Sequence, residues 1–109
     1  MIQVKFHNYP DGRLEMRLAG HAGFAPAGQD IVCAAVTMLV YTAAEALQQA
    51  AERGMLSDAP VIVLRPGYAL VCARPKRRCR CQVAGIFRTV RGGMDMLAKT
   101  FPQCVTVLR

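Results

Sequence analysis

The chain reads as an α+β domain: a two-layer sandwich in ββαββαβ order, an antiparallel or mixed sheet carrying two helices. Three observations lead there. Two runs near the start alternate apolar and polar residues around a Pro-Asp-Gly turn. Two more strand-like runs flank Arg65-Pro66-Gly67 further on. Each pair is followed by a long stretch whose apolar residues recur at helical spacing, and runs of this kind pack as helices on one face of a sheet.

Taken in order, Ile2, Val4 and Phe6 alternate with Gln3, Lys5 and His7, and Leu14, Met16 and Leu18 with Arg13, Glu15 and Arg17. Around Pro10-Asp11-Gly12 this is a β-hairpin with aliphatic residues on one face and charges on the other. His7 falls on the polar face, as an ordinary exposed histidine. Gly20 to Gln29 is built of small residues, too small to pack much, and is expected to be open and mobile. Asp30 is a good N-cap for a helix from Ile31 to about Glu52, with Val32, Val36, Leu39, Val40, Ala43 and Leu47 as its apolar stripe. Arg53-Gly54 closes it. Val61–Leu64 and Tyr68–Ala73 form the second hairpin; being more continuously apolar, it is expected near the centre of the sheet. Arg74 to Arg80 is expected as an exposed connection. A second helix is expected over about Gln82 to Thr100, with a kink or break at Gly92-Gly93, since each glycine costs about 1 kcal/mol relative to alanine. Pro102 stops it, and Cys104 to Leu108 supplies the last strand.

A chain of 109 residues, 53% of them hydrophobic, suffices for one core, so residues 1–109 are taken as one domain. No apolar run suggests a membrane span, which takes about 18 residues, and no membrane partner is expected. The N-terminal run alternates rather than forming a signal peptide's apolar block. The expected compartment is therefore the cytoplasm, where five cysteines stay reduced. The net charge is +7, and it is uneven. No acid occurs between Asp58 and Asp95, where Arg65, Arg74, Lys76, Arg77, Arg78, Arg80, Arg88 and Arg91 all fall. Such a face suits a polyanion, with ribosome or RNA contact through Arg74–Arg91 the first candidate, or it is a solvated surface that keeps the chain soluble.

The chemistry concentrates between Gly20 and Thr37. Cys33 lies in the first turn of the helix that Asp30 caps, where amides and the helix dipole favour an anion. His21, at the end of the second strand, is placed to act as its base and then as an acid. Unpaired amides at the helix start are candidates to receive an oxyanion. Thr37 is one turn beyond Cys33 on the same face and is placed to orient the thiol or a substrate amide. Gly20, Ala22, Gly23, Phe24 and Gly28 belong to the loop that would meet a substrate, and Phe24 is its one large side chain. Ser57 is the only serine, which argues against a serine triad. On spacing alone, a histidine and a cysteine twelve residues apart are weak evidence, since a lone cysteine is commonly a packing residue. Cys72, Cys79, Cys81 and Cys104 match no common zinc-knuckle spacing, and arginines surround two of them, so neither metal nor cofactor is expected.

Gly20-His21-Ala22 followed by Gly28-Gln29-Asp30-Ile31-Val32-Cys33-Ala34-Ala35-Val36-Thr37 resembles the signature of the bacterial ribosomal-processing cysteine protease (Prp) family, whose element order also agrees over essentially the whole chain. The resemblance implies a cysteine endopeptidase that removes the N-terminal extension of a large-subunit ribosomal protein (protein twenty-seven) precursor, cutting after an aromatic residue. It implies His21 as catalytic histidine, Cys33 as nucleophile, Asp30 as the matching acid, and a homodimer. Thr37 stands where the family more often has serine, which keeps the hydroxyl. The competing class is a non-enzymatic basic module that docks on ribosomal RNA or nascent ribosomes. The His21–Cys33 pair speaks against it, as does the lack of any aromatic residue among Arg74 to Arg80.

Overall fold

In the computed structural model, which describes residues 1–108, the order is β1 (Ile2–Asn8), β2 (Leu14–Ala19), α1 (Ile31–Glu52), β3 (Val61–Arg65), β4 (Tyr68–Ala73), α2 (Arg80–Thr100) and β5 (Val105–Leu108). The five strands form one mixed sheet in the order β3-β4-β2-β1-β5. All neighbours are antiparallel except β1 and β5, which run parallel.

Register explains the two layers. Phe6 faces Met16, which faces Val71, which faces Ile62; in the next row Val4, Leu18, Ala69 and Leu64 align. Because strand side chains alternate, these rows share one face. Val4, Leu14, Met16, Leu18, Ala69 and Val71 are buried there beneath α1 and α2, while Gln3, Lys5, His7 and Arg17 face solvent. The helices contribute Val32, Val36, Val40 and Leu47 from α1 and Val83, Phe87, Val90 and Met94 from α2.

Four local expectations differ from the structure. The second hairpin is not central: β2 holds the middle, and β3 is an edge strand on which Val61 and Leu64 are half exposed. The 74–80 connection is not a free loop. Ser57 N–H donates to the Arg74 carbonyl at 2.8 Å and Lys76 N–H to the Met55 carbonyl at 2.8 Å, Pro75 and Cys79 are buried, and residues Arg77–Cys79 form a 3₁₀ turn that leads into α2. The second helix passes through Gly92-Gly93 unbroken. A Cβ on Gly93 would lie 2.7 Å from Leu39 Cδ2, so that glycine lets α1 and α2 approach, and the contact offsets its poor helix propensity. Finally, α1 is long and apolar enough to cross a bilayer, with mean hydropathy 1.6 over its best window; isoleucine, valine and leucine residues interspersed with alanines and polar residues give that value without a continuous apolar run. In this fold its apolar stripe is spent on the sheet and α2.

The two glycines should therefore respond oppositely. Gly93→Val is expected to destabilise the fold by about 1–3 kcal/mol through overpacking against Leu39. Gly92→Ala, with nothing near its added methyl group, is expected to stabilise it by about 0.4–1 kcal/mol. Urea denaturation of the two variants measures both signs.

Candidate active site

The site forms where three segments converge: the end of β2, the start of α1 and the β3–β4 turn. Gly20 N–H donates to the Gly67 carbonyl at 2.9 Å, joining the end of β2 to the turn. Gly20 has φ +107, and a Cβ there would collide with the Met1 carbonyl; only glycine lets β2 leave the sheet at this point. His21 follows at once, its ring lying over Gly67, where a Cβ would sit 2.8 Å from His21 Nε2. Gly67 also has φ +74, so the Pro-Gly turn both reverses the chain and leaves room for the imidazole.

Cys33 is the third residue of α1 and half-buried. Its Sγ accepts a hydrogen bond from Ala22 N–H at 3.4 Å. Ala22 is buried and brings that amide inward, while most of the loop around it stays exposed. Among the described residues no hydrogen bond links the His21 ring to Cys33 Sγ. Catalytic contacts of this kind commonly tighten only when substrate is bound.

Asp30 organises the loop and the helix together. Its Oδ1 accepts from Val32 N–H at 3.0 Å and Cys33 N–H at 2.9 Å, and its Oδ2 from Phe24 N–H at 3.0 Å and Ala25 N–H at 3.3 Å. These bonds hold its carboxyl below the ordinary carboxylate range, the Cys33 amide contributing most and partial burial opposing. Two expectations change as a result. The amides of Val32 and Cys33 are not unpaired, so the helix start does not offer them to an oxyanion; the amide directed at the reactive region is that of Ala22. Nor is the loop merely an untethered string of small residues. Asp30 clamps its middle, and Phe24 packs edge-to-face on Phe101, ring centroids 5.5 Å apart.

His21, Cys33 and Thr37 together line two open clefts, which therefore meet at them. One, of about 360 Å³, is walled mainly by apolar groups such as Leu18, Val36, Val40, Tyr41 and Leu64, with Arg65 at its edge. The other, of about 540 Å³, is walled by Gly23, Ala25, Ala27, Gly28, Asp30 and Ala34. An extended peptide laid across both would carry its central carbonyl past the thiol. Of the sequence-expected site residues, Gly20, His21, Gly23, Gly28, Asp30, Cys33 and Thr37 line these clefts, whereas Ala22 and Phe24 line neither and the Phe24 ring is turned to Phe101. Sequence reading passed over Gly67, Arg65 and Tyr41. A glycine after proline announced a turn, but nothing local tells that the turn seats His21. Cys72, Cys79, Cys81 and Cys104 lie away from both clefts as free thiols, and among the described residues no three metal-ligating side chains cluster.

Comparison with known proteins places this arrangement. A family profile described as cysteine protease Prp matches residues 1–106. The ribosomal processing cysteine protease Prp of Bacillus subtilis (strain 168) is 46% identical over 48 residues, which is 43% of this chain and 43% of that protein. Among solved structures, the ribosomal processing protease Prp from S. aureus with a covalently linked product peptide superimposes with TM-score 0.75, covering 98% of this chain and 97% of that one at 20% identity. A Streptococcus mutans protein reaches TM-score 0.69 at 29% identity, over 98% of this chain and 91% of its own.

The clamp yields a prediction with a definite sign. Since the folded-state pKa of Asp30 is lowered, its contribution is present above the unfolded carboxylate value near ~3.9 and is lost as pH falls from there through the folded value. Asp30→Asn keeps one acceptor oxygen for the helix cap but turns an NH₂ toward the loop amides or the reverse, so one pair is always lost. The variant is expected to lack that acid-side decline and to show faster hydrogen exchange at Phe24 and Ala25. Urea titrations across acid pH and amide exchange report the two effects; unchanged exchange in the loop would mean that Asp30 does not hold it.

Proposed function

Since the chain belongs to the cysteine protease Prp family, we propose that it is a cysteine endopeptidase that removes the N-terminal extension of a large-subunit ribosomal protein precursor, protein twenty-seven by the family resemblance. One observation carries the reading: His21 and Cys33 stand together where two clefts meet, with an amide directed at the sulfur. His21 takes the thiol proton, and the thiolate attacks the scissile carbonyl carbon. The Ala22 N–H, directed at Sγ in the resting protein, faces the charge that passes from sulfur to the carbonyl oxygen. The tetrahedral intermediate collapses with breakage of the C–N bond, and His21 returns its proton to the leaving amine. Water, deprotonated by His21, then hydrolyses the thioester and regenerates the thiol. Thr37, exposed to both clefts, holds a substrate amide across the junction. The apolar cleft beside Tyr41 and Leu64 suits an apolar and aromatic extension.

Within this reading the protein works in the cytoplasm, with its cysteines reduced, and as a homodimer. In support of the latter, Ile31, Met38 and Tyr41 lie along one face of α1 and are 61%, 63% and 52% exposed, and exposed apolar side chains gathered on one face are a feature of protein–protein contacts. If that face is the dimer contact, Met38→Glu is expected to give a monomer by light scattering.

Incubation with full-length precursor, followed by mass spectrometry of the product N-terminus, tests the activity. Cys33→Ala is expected to abolish cleavage, and proteolysis retained by that purified variant would sink the mechanism. His21→Ala is expected to lose about 10²–10⁴-fold, the usual contribution of a positioned base, and to slow alkylation of Cys33 by iodoacetamide. Gly67→Ala, which strains the turn and displaces the imidazole, is expected to reduce cleavage strongly while Cys33 and His21 both remain.

A further inference from the structure

The basic residues between Asp58 and Asp95 do not act as one surface. Arg65 lies over Tyr68 at the edge of the cleft. Arg91 is drawn to Asp95 and over the Phe6 ring. What remains, apart from the exposed Arg88 two turns into α2, is a cluster at the far end of the sheet, where Arg74, Arg77 and Arg80 line an open cavity of about 450 Å³ together with Gly12 and Pro75. The Arg80 guanidinium rests 3.5 Å from the place a Cβ would take on Gly12. Lys76 and Arg78 adjoin it in sequence.

Two carboxylates approach this cavity, and each is already engaged. Asp58 accepts from Arg74 at 2.7 Å, and Asp11 from Arg13 at 2.8 Å. Among the described residues Arg77, Arg78 and Arg80 have no ion pair, and Arg74 Nε–H is buried without a hydrogen-bond partner. α2 begins at the cavity with no acidic residue in its first turn and no side-chain cap, so the helix dipole adds to the positive field. No aromatic side chain lines the cavity, which leaves base stacking aside and favours contact with phosphates alone.

We infer that the cavity bounded by Arg74, Arg77 and Arg80 is a phosphate-backbone site for double-helical RNA, separate from the protease cleft. Guanidinium forks match phosphate oxygens in pairs, and the site lies beyond the Leu14 end of β2 whereas His21 follows the other end. β2 has six residues, so the two are about 20 Å apart at ~3.3 Å per residue. This surface does not depend on the protease reading and would hold the enzyme on a particle rich in RNA helices.

The test measures binding of a fluorescein-labelled RNA duplex by anisotropy from low salt to about 0.3 M, with the wild type, Arg77→Gln/Arg80→Gln, and Lys5→Gln/Lys99→Gln as a control of equal charge on other faces. At 0.1 M salt each phosphate contact on a duplex is worth about eightfold, so the arginine variant is expected to bind about 60-fold more weakly, with a shallower salt slope. The control is expected to bind within about twofold of wild type. Arg77→Lys/Arg80→Lys, which keeps the charge, should restore most of the affinity, and all variants should melt like wild type and cleave a short peptide at its rate. Equal losses in the arginine variant and the control would reduce the effect to net charge and overturn the site. So would absence of duplex binding by wild type, or stronger binding to phosphatidylserine-containing vesicles through the same arginines. Loss of peptide cleavage in the arginine variant would overturn its separation from the cleft.

Discussion

The carboxylate of Asp30 is the interaction on which this architecture turns. Four backbone amides converge on its two oxygens, two from the first turn of α1 and two from the loop ahead of it. A helix start needs an acceptor for its orphan amides, and a loop of glycine and alanine needs something other than side-chain packing to give it shape. One residue answers both needs. The arrangement also fixes which amide remains near the thiol. With Val32 and Cys33 committed to Asp30, the donor at the sulfur comes from Ala22, in the loop ahead of the helix. In the proposed mechanism, charge on sulfur and charge on the carbonyl oxygen are then met from the loop side.

The second constraint is the sheet. His21 and Cys33 are close in sequence, but the short loop between them does not orient the imidazole. The pairing of β2 with β4 does so, since it brings the β3–β4 turn against Gly20 and leaves the ring seated on Gly67. The apolar cleft is therefore walled by elements distant in the chain, α1 on one side and the second hairpin on the other, whereas the second cleft is walled by the loop and the start of α1. This also explains the exposed edge strand. β3 is required less as sheet than as the arm that carries Leu64, Arg65 and the turn to the thiol.

How much of this could be read beforehand follows from locality. The first hairpin was legible because its two faces see different solvents, so alternation is imposed on Ile2 to Leu18. The helix from Ile31 was legible because Asp30 and the apolar spacing agree. His21, Asp30, Cys33 and Thr37 were legible because they lie within seventeen residues of each other, with recognisable types at recognisable intervals. Strand order was not. A run such as Val61–Leu64 is apolar whether it is central or an edge packed on one side, and only pairing with β4 alone shows which. Gly92-Gly93 misled for a related reason: propensity penalises a helical glycine, and the Leu39 side chain that exploits the gap sits on another helix. Gly67 and Arg65 enter the site through the same long-range pairing, so no local pattern marks them, whereas Tyr41 follows Cys33 and Thr37 at helical spacing on α1 and was within reach of a sequence reading.

Strand length also decides how the chain's strong positive charge can coexist with thiol chemistry. A field from Arg77, Arg78 and Arg80 acting on the cleft would favour the thiolate at rest and weaken the proton transfers that follow. At physiological ionic strength exposed charges are screened over about 8 Å, and the cluster lies roughly 20 Å away along β2. The cleft sees instead its own neighbours, chiefly Asp30 and Arg65, of which the first is saturated by amides. The sheet thus does two jobs with one strand. Its Ala19 end delivers the histidine to the thiol, and its Leu14 end holds the basic cavity beyond electrostatic reach, so the surface charge of that end can vary without retuning the chemistry at the other.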